Sequence, residues 1–279
     1  MHLLFTINQS YLFALKTCIH SICRFESKDG YDISILHDDL STTEIQAFLD
    51  SFSTYAGLSF HFISVPKETF AAFPQSNRYP KTMYFRLMAH KLLPETVDRV
   101  LYLDPDIIVI RPLDQLYQLP FRASTLCYAA THVKGALEEL NCLRLSVPDG
   151  TPYINTGVLL LDLKALRAKD RTEEMLRFIE EKQAVFTLPD QDIFTALYGQ
   201  QTQLLDTMIY NLSDRILTIY NANLINPRRG LHWVRENTVI IHYCGRNKPW
   251  KKPYLGVLNI FYEELLQSLP ASVQKTLSP

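Results

Sequence analysis

The chain has 279 residues, 47% of them apolar and 20% charged, with a formal net charge of −1. That is enough apolar material for a large core, and it excludes both the disordered class and a bulk positive field for nucleic acid. The nine glycines never stand two positions apart and no G-x-x-x-x-G-K-[ST] loop occurs, so dinucleotide fingerprints and phosphate loops are excluded. Cys18, Cys23, Cys127, Cys142 and Cys244 are an odd number without C-x-x-C spacing, which argues against a disulfide framework or thiolate zinc site and fits a reducing compartment.

The N-terminus opens directly on apolar Leu3–Ile7 without a leading basic stretch, so it is expected to be a first strand and not a signal peptide. No run of about 18 apolar residues predicts a membrane span. Leu12, Leu15, Ile19 and Ile22 recur at helical spacing within Tyr11–Arg24. Tyr31–His37 is the next strand. Ser41 or Thr42 caps a helix carrying Ile45, Phe48, Leu49 and Phe52, and Leu58–Val65 is a third strand. This β-α-β-α-β start predicts a parallel sheet covered by helices. A loop around Phe73-Pro74-Gln75-Ser76-Asn77 leads to a helix over Thr82–Leu93 and a fourth strand, Val100–Leu103. Further on, Leu126–Ala130, Ile154–Leu163 and Thr238–His242 read as strands; Arg171–Gln183, Gln191–Tyr198 and Tyr254–Leu269 read as helices. Without repeats or Gly/Ser linkers, one domain over 1–279 is expected.

The fourth strand empties into Asp104-Pro105-Asp106. Ligands bind at the carboxyl ends of parallel strands, and residues i and i+2 of extended chain point the same way. Pro105 stiffens that arrangement, and two carboxylates so close call for a divalent cation. The plainer alternative is a solvated turn. His242, at the end of a late strand, can add an imidazole to the same ion, with Gly245 allowing close backbone approach and Lys248 suited to phosphate oxygens. Its alternative is a core histidine beside a basic turn. Asn155 and Gly157 begin a strongly apolar strand where an amide can orient a hydroxylated ligand. In Pro189-Asp190-Gln191-Asp192, either aspartate can be a plain helix cap.

Together, Tyr84-Phe85-Arg86-Leu87, Leu103-Asp104-Pro105-Asp106, Asn155-Thr156-Gly157, Pro189-Asp190-Gln191-Asp192 and His242-Tyr243-Cys244-Gly245 with Lys248-Pro249-Trp250 resemble, in order and spacing, family 8 of the retaining glycosyltransferases, over roughly Phe5 to Trp250. The likeness is to the bacterial lipooligosaccharide α-galactosyltransferases and general-stress glycosyltransferases, with glycogenin more distant. The resemblance implies an α/β GT-A fold, a Rossmann-like mixed sheet flanked by helices, with a nucleotide-binding half over about 1–110, a donor-sugar and acceptor half over about 111–250, and a C-terminal helix over 251–279. It implies transfer of galactose or glucose from a UDP-sugar, with retention, to a glycan or glycolipid in cell-surface polysaccharide synthesis, dependent on Mn²⁺ with Mg²⁺ as the alternative. By motif position, Asp104, Asp106 and His242 hold the metal, and Arg86, Asn155, Asp190 and Gln191 line the donor sugar, Gln191 and Asp190 being the catalytic candidates. Gly245 and Lys248 close on the diphosphate. Thr6, Asn8 and Tyr11 form the uridine site, where Asn8 and Ser10 replace the family's Asp and Asn. His132 stands near the acceptor position. The expected location is cytoplasmic, with no nucleic-acid partner and at most peripheral membrane contact through Lys248, Lys251 and Lys252 near Trp250 and Tyr254.

Gln191 is an amide, not a carboxylate nucleophile, which disfavours covalent double displacement and favours same-face attack as the diphosphate leaves. Two rival readings compete. A haloacid-dehalogenase-type phosphotransferase also has D-x-D after an apolar strand, but usually near the N-terminus. A nucleotide-sugar-binding protein without turnover is suggested by Asn8.

Overall fold

The computed structural model describes residues 1–74, 80–122 and 124–274. Its strands are β1 (His2–Thr6), β2 (Tyr31–His37), β3 (Leu58–Ser64), β4 (Arg99–Leu103), β5 (Ile107–Val109), β6 (Cys127–Thr131), β7 (Ile154–Asp162), β8 (Thr202–Leu204) and β9 (Ile240–His242). Its α-helices are α1 (Leu12–Ile22), α2 (Thr42–Asp50), α3 (Ala89–Leu92), α4 (Asp114–Tyr117), α5 (Ala136–Leu145), α6 (Leu163–Ala168), α7 (Thr172–Lys182), α8 (Pro189–Tyr198), α9 (Thr207–Tyr210), α10 (Asp214–Ala222), α11 (Leu231–Asn237), α12 (Asn259–Ser268) and α13 (Ala271–Gln274).

Seven strands form one mixed sheet in the order β3-β2-β1-β4-β7-β6-β8. β3, β2, β1 and β4 are parallel, and β7 runs antiparallel between β4 and β6. In β1, Leu3, Leu4 and Phe5 are all fully buried, so consecutive residues pack into cores on opposite faces, as expected of a strand covered by helices on both sides. Ser41 caps α2 in a reciprocal capping box with Glu44, an exchange that satisfies two otherwise orphaned backbone donors. β5 and β9 form a separate antiparallel pair, with Ile107 opposite His242. The Ser21 hydroxyl of α1 accepts from Val109 N at 2.8 Å and so ties that pair to the first helix.

The predicted parallel start and the later strands are present, with ends shifted by one or two residues. The segment 82–93 differs: it winds as a 3₁₀ helix over Lys81–Met88 before α3. Tyr84 through Met88 are all buried, so no solvent-facing stripe imposes the α-helical period. Of the predicted 73–77 loop, Gln75-Ser76-Asn77 lies outside the described residues. So do residues 275–279 of the expected C-terminal segment, whose helix begins at Asn259 and not at Tyr254. Among the elements without a clear sequence signal are β5, α5 and α10. β5 has three residues, and α5 turns Leu137, Leu140 and Leu143 to solvent, the reverse of a core-facing stripe. α10 buries only Leu217 beyond its partly covered residues.

Candidate active site

Two backbone ladders assemble the site. Where β4 ends, Asp104 N still donates to Gly157 O at 2.8 Å, which extends its pairing with β7. Two residues on, the β5–β9 pair sets Ile107 opposite His242, and Tyr243 N donates to Asp106 O at 3.0 Å. Thus the D-x-D strand end is fastened to β7 on one side and β9 on the other.

Each carboxylate then divides its two oxygens. Asp104 Oδ1 accepts from Arg86 Nη1 at 2.8 Å and from the Tyr102 hydroxyl at 2.5 Å, while Oδ2 lies 3.6 Å from His242 Nε2. Asp106 Oδ2 accepts from the Lys248 ammonium, while its buried Oδ1 has no hydrogen-bond partner and lies 3.2 Å from the same imidazole nitrogen. On the far side of the ring, Nδ1 donates to Asn211 Oδ1 at 2.9 Å, so Nε2 is the nitrogen turned toward the two carboxylates and the one that would ligate an ion. One ligand atom from each of the three residues therefore lies within 4.8 Å of the others. Divalent-ion bonds of about 2.1 Å at right angles put donor atoms about 3 Å apart, so these residues fit such an ion. Gly157 makes room for the ring: a Cβ there would lie 2.2 Å from His242 Cε1 and 2.9 Å from Asp104 Oδ2.

Burial pushes the Asp106 carboxyl up, but Lys248 and His242 more than offset this and hold it well below the usual carboxylate range. Burial likewise lowers Lys248, and Asp106 overrides it, so the ammonium's affinity for its proton rises. Arg86 follows the same pattern with Asp104, and its guanidinium also covers the Tyr102 ring at 4.6 Å and donates to Thr156 O at 3.0 Å. Asp190 is raised instead. Its burial outweighs Arg86, 3.7 Å away, and the Thr156 hydroxyl, which donates to it at 2.6 Å.

Two adjoining clefts meet at Arg86, Asp104 and Asp106. One, of about 350 Å³, runs along the strand ends past Thr6, Asn8 and Tyr11; the other, of about 250 Å³, is lined by Asn155, Asp190, Gln191, His242 and Gly245. The anticipated nucleotide-site and sugar-site residues therefore fall on two sides of one carboxylate pair. The two residues that depart from the family pattern bond each other, Ser10 Oγ donating to Asn8 Oδ1 at 2.7 Å. Gly245, at φ +83°, holds a left-handed turn at the cleft wall, a conformation that favours glycine.

Other anticipated residues are placed differently. Lys248 lies behind Asp106, where it also donates to Tyr243 O at 2.9 Å. Trp250 packs edge-on to Phe13 at 5.2 Å and against Tyr262 at 6.1 Å. The anticipated basic and aromatic membrane cluster is thus divided, with Lys248 and Trp250 turned inward and Lys251 and Lys252 outward. Asn155 Oδ1 is taken by Gly157 N at 3.1 Å and Asn211 Nδ2 at 2.9 Å, so only its own Nδ2 is left for a ligand. His132 Nε2 pairs with Asn211 O at 2.9 Å, and burial, with His242 nearby, pushes its pKa down to about 4. Burial lifts the Cys244 thiol to about 11, so this cleft residue carries no thiolate. Of the two carboxylates in the 189–192 motif, Asp192 is the structural one. Fully buried, it accepts from Arg144 at 2.7 and 3.0 Å, from Tyr153 at 2.7 Å and from Thr187 N at 2.6 Å, which fixes the start of α8 and presents Asp190 to the cleft.

Asn211 is the residue that motif reading missed. It is fully buried, supports His242 with Oδ1 and Asn155 with Nδ2, and is held by Leu212 N donating to Ile240 O and His242 N donating to Leu212 O. Its only sequence signal is an asparagine between apolar residues, which any turn also produces.

A mixed sheet whose fourth strand delivers paired carboxylates to the junction of two clefts is the GT-A architecture. The family model described as Glycosyl transferase family 8 matches residues 2–253, and the chain belongs to that family. It is 32% identical over 203 residues to a lipopolysaccharide 1,2-glucosyltransferase of Escherichia coli K12, covering 71% of this chain and 57% of that relative. It is 27% identical over 205 residues to general stress protein A of Bacillus subtilis 168, covering 71% of this chain and 70% of that one. The fold matches that of the galactosyltransferase LgtC, solved in complex with donor and acceptor sugar analogs, with a TM-score of 0.80 at 24% identity over 99% of this chain and 100% of that one. Family membership sets aside the phosphotransferase reading.

Proposed function

We propose that the protein is a metal-dependent, retaining hexosyltransferase that moves glucose or galactose from a UDP-sugar to a glycan or glycolipid, forming an α-glycosidic bond. One observation carries this: Asp104, Asp106 and His242 bring one ligand atom each within 4.8 Å of one another where the two clefts meet. The activities of the similar proteins, a lipopolysaccharide glucosyltransferase and a galactosyltransferase, support a hexose donor and a glycan acceptor without separating glucose from galactose.

In this reading Asp104, Asp106 and His242 hold Mn²⁺ or Mg²⁺, which supplies positive charge to the diphosphate as its bond to the sugar breaks. Residues 1–110 provide the nucleotide side, with Thr6, Asn8 and Tyr11 around uridine; residues 111–250 provide the sugar and acceptor side. Arg86 and Asp190 fix the sugar's hydroxyls, and Gly245 lets the 245–248 turn approach the diphosphate. Lys248, behind Asp106, holds that carboxylate ionised and adds its positive charge to this side of the site from there. The Gln191 amide offers a dipole to the developing oxocarbenium and no carboxylate for a covalent ester. Asp190, bonded to Thr156 and faced by Arg86, is spent on orientation. Same-face attack follows, the departing phosphate oxygen taking the acceptor's proton. The enzyme works in the cytoplasm, on the inner side of the membrane.

The test is hydrolysis of UDP-glucose, UDP-galactose and their N-acetyl forms by purified protein with Mn²⁺ and with EDTA. One hexose donor should dominate, and Asp104→Ala should lose at least about 10³-fold of the turnover. Binding of UDP with no donor consumed would replace this reading with that of a nucleotide-sugar-binding protein. A glycosyl ester trapped on Asp190 would overturn same-face attack.

A further inference from the structure

The 223–230 connection between α10 and α11 carries the two most exposed large apolar side chains among the described residues. Leu224 is 99% and Ile225 92% exposed. The tip is held from within: Asn226 N and Ile225 N donate to Asn223 O and Oδ1 at 3.1 and 3.0 Å, and Asn226 Nδ2 donates to Tyr220 O at 2.9 Å. At its base Asn221 clasps Arg229 through both amide atoms, at 2.9 and 2.8 Å, and the Arg229 guanidinium sits 4.3 Å from the Tyr220 ring and 4.0 Å from that of Trp233. Two aliphatic side chains thus stand in water on a loop that is already ordered, so binding through them costs little ordering entropy.

Charge identifies what they meet. The 223–230 loop carries Arg228 and Arg229 and no Asp or Glu, the nearest acidic residues along the chain being Asp214 and Glu236, while Arg215 and Arg235 lie on the flanking helices. Arg235 is paired with Glu264, whereas Arg215 and Arg228 are exposed. A two-residue prong lacks the roughly 800 Å² per partner of a stable protein interface. An aliphatic tip with arginines and a tryptophan behind it fits a lipid surface, where the tip enters the acyl boundary and the cations lie among phosphate headgroups. We propose that this loop is an interfacial wedge that seats the protein on an anionic bilayer. α10 begins three residues after Asn211 and, with nine residues, spans about 14 Å, so the wedge stands roughly one helix length from the support of His242. Only the benefit to a glycolipid acceptor rests on the function proposed above; the lipid binding itself does not.

Sedimentation of the full chain with phosphatidylcholine vesicles, with and without phosphatidylglycerol, tests it. Binding should require the anionic lipid and weaken as salt rises. Leu224→Asp with Ile225→Asp should lower it at least 10-fold, and Arg228→Glu several-fold, with circular dichroism and donor hydrolysis unchanged. Undiminished binding by the double variant overturns the wedge, as does no binding by the wild type. Salt-insensitive self-association that the double variant abolishes would reassign the loop to a second copy of the chain. Vesicle binding is read without turnover, so its failure and a failure of donor hydrolysis are separate results.

Discussion

The two sides of the sheet are built by different means. β3, β2, β1 and β4 are parallel neighbours, and the carboxyl ends of β1 and β4 line the cleft that holds Thr6, Asn8 and Tyr11. On the other side, β7 reverses direction, β5 and β9 leave the main sheet, and Asn211 reaches His242 from a turn after α9. The parallel side supplies Asp104 and Asp106. The antiparallel side supplies the imidazole, the glycine that admits it and the amide that orients it. Chemistry thus depends on a seam between a regular half and an irregular one, and its most sensitive points should lie on the irregular side.

The sharpest break is expected from Gly157→Ala, whose methyl would fall 2.2 Å from His242 Cε1. The ring or the strand must move, and metal-dependent turnover should fall at least about 100-fold. Isothermal titration with Mn²⁺ should show the loss as weakened binding with the fold intact. Asn211→Leu should weaken Mn²⁺ about 10–100-fold by freeing the His242 tautomer, and Asn211→Asp, which keeps an acceptor for Nδ1, should recover much of that. Equal metal affinity in wild type and the leucine variant would show that the amide is scaffolding alone.

Arg144→Leu leaves the Asp192 carboxylate buried without its cation and should cost about 3 kcal/mol, read as a lower denaturation midpoint, with donor affinity reduced through a loosened α8. The parallel side should show its weakest point as a pH effect. His20 is fully buried in α1, stacked on Phe52 at 4.5 Å, with Nδ1 on the Tyr55 hydroxyl at 3.1 Å and Nε2 without a hydrogen-bond partner. Burial, with Lys16 adding repulsion, pushes its pKa down from 6.5 to about 4. The folded state thus prefers the neutral ring, so the stability this gives is full above about 6.5 and is lost as pH falls toward 4. His20→Phe should flatten the melting temperature between pH 6.5 and 4; an unchanged slope would exclude this imidazole as the cause.

The parallel half was legible because each element carries its own pattern. β1 through β4 are short apolar runs bounded by turn signals, and the Ser41–Glu44 capping box announces α2. The carboxylate pair was legible for the same reason, being contiguous at a strand end. Helix α5 was hidden because Leu137, Leu140 and Leu143 face water, and the 3₁₀ segment before α3 because Tyr84 through Met88 are all buried. Residue type also failed to separate Asp190 from Asp192, since both are aspartates at a helix start and only Arg144 and Tyr153, from other elements, distinguish them.

By itself, then, the sequence determined the fold class, the family motifs and which residues carry charge and lone pairs, because periodicity and spacing are properties of neighbouring positions. Tertiary structure alone decided how those groups are divided. It sends one oxygen of Asp104 to Arg86 and one of Asp106 to Lys248, turns the remaining oxygens toward His242, and uses Asn211 to choose the nitrogen that meets them. These are outcomes of register between β4 and β7 and between β5 and β9, pairings over long sequence separations that no local pattern encodes.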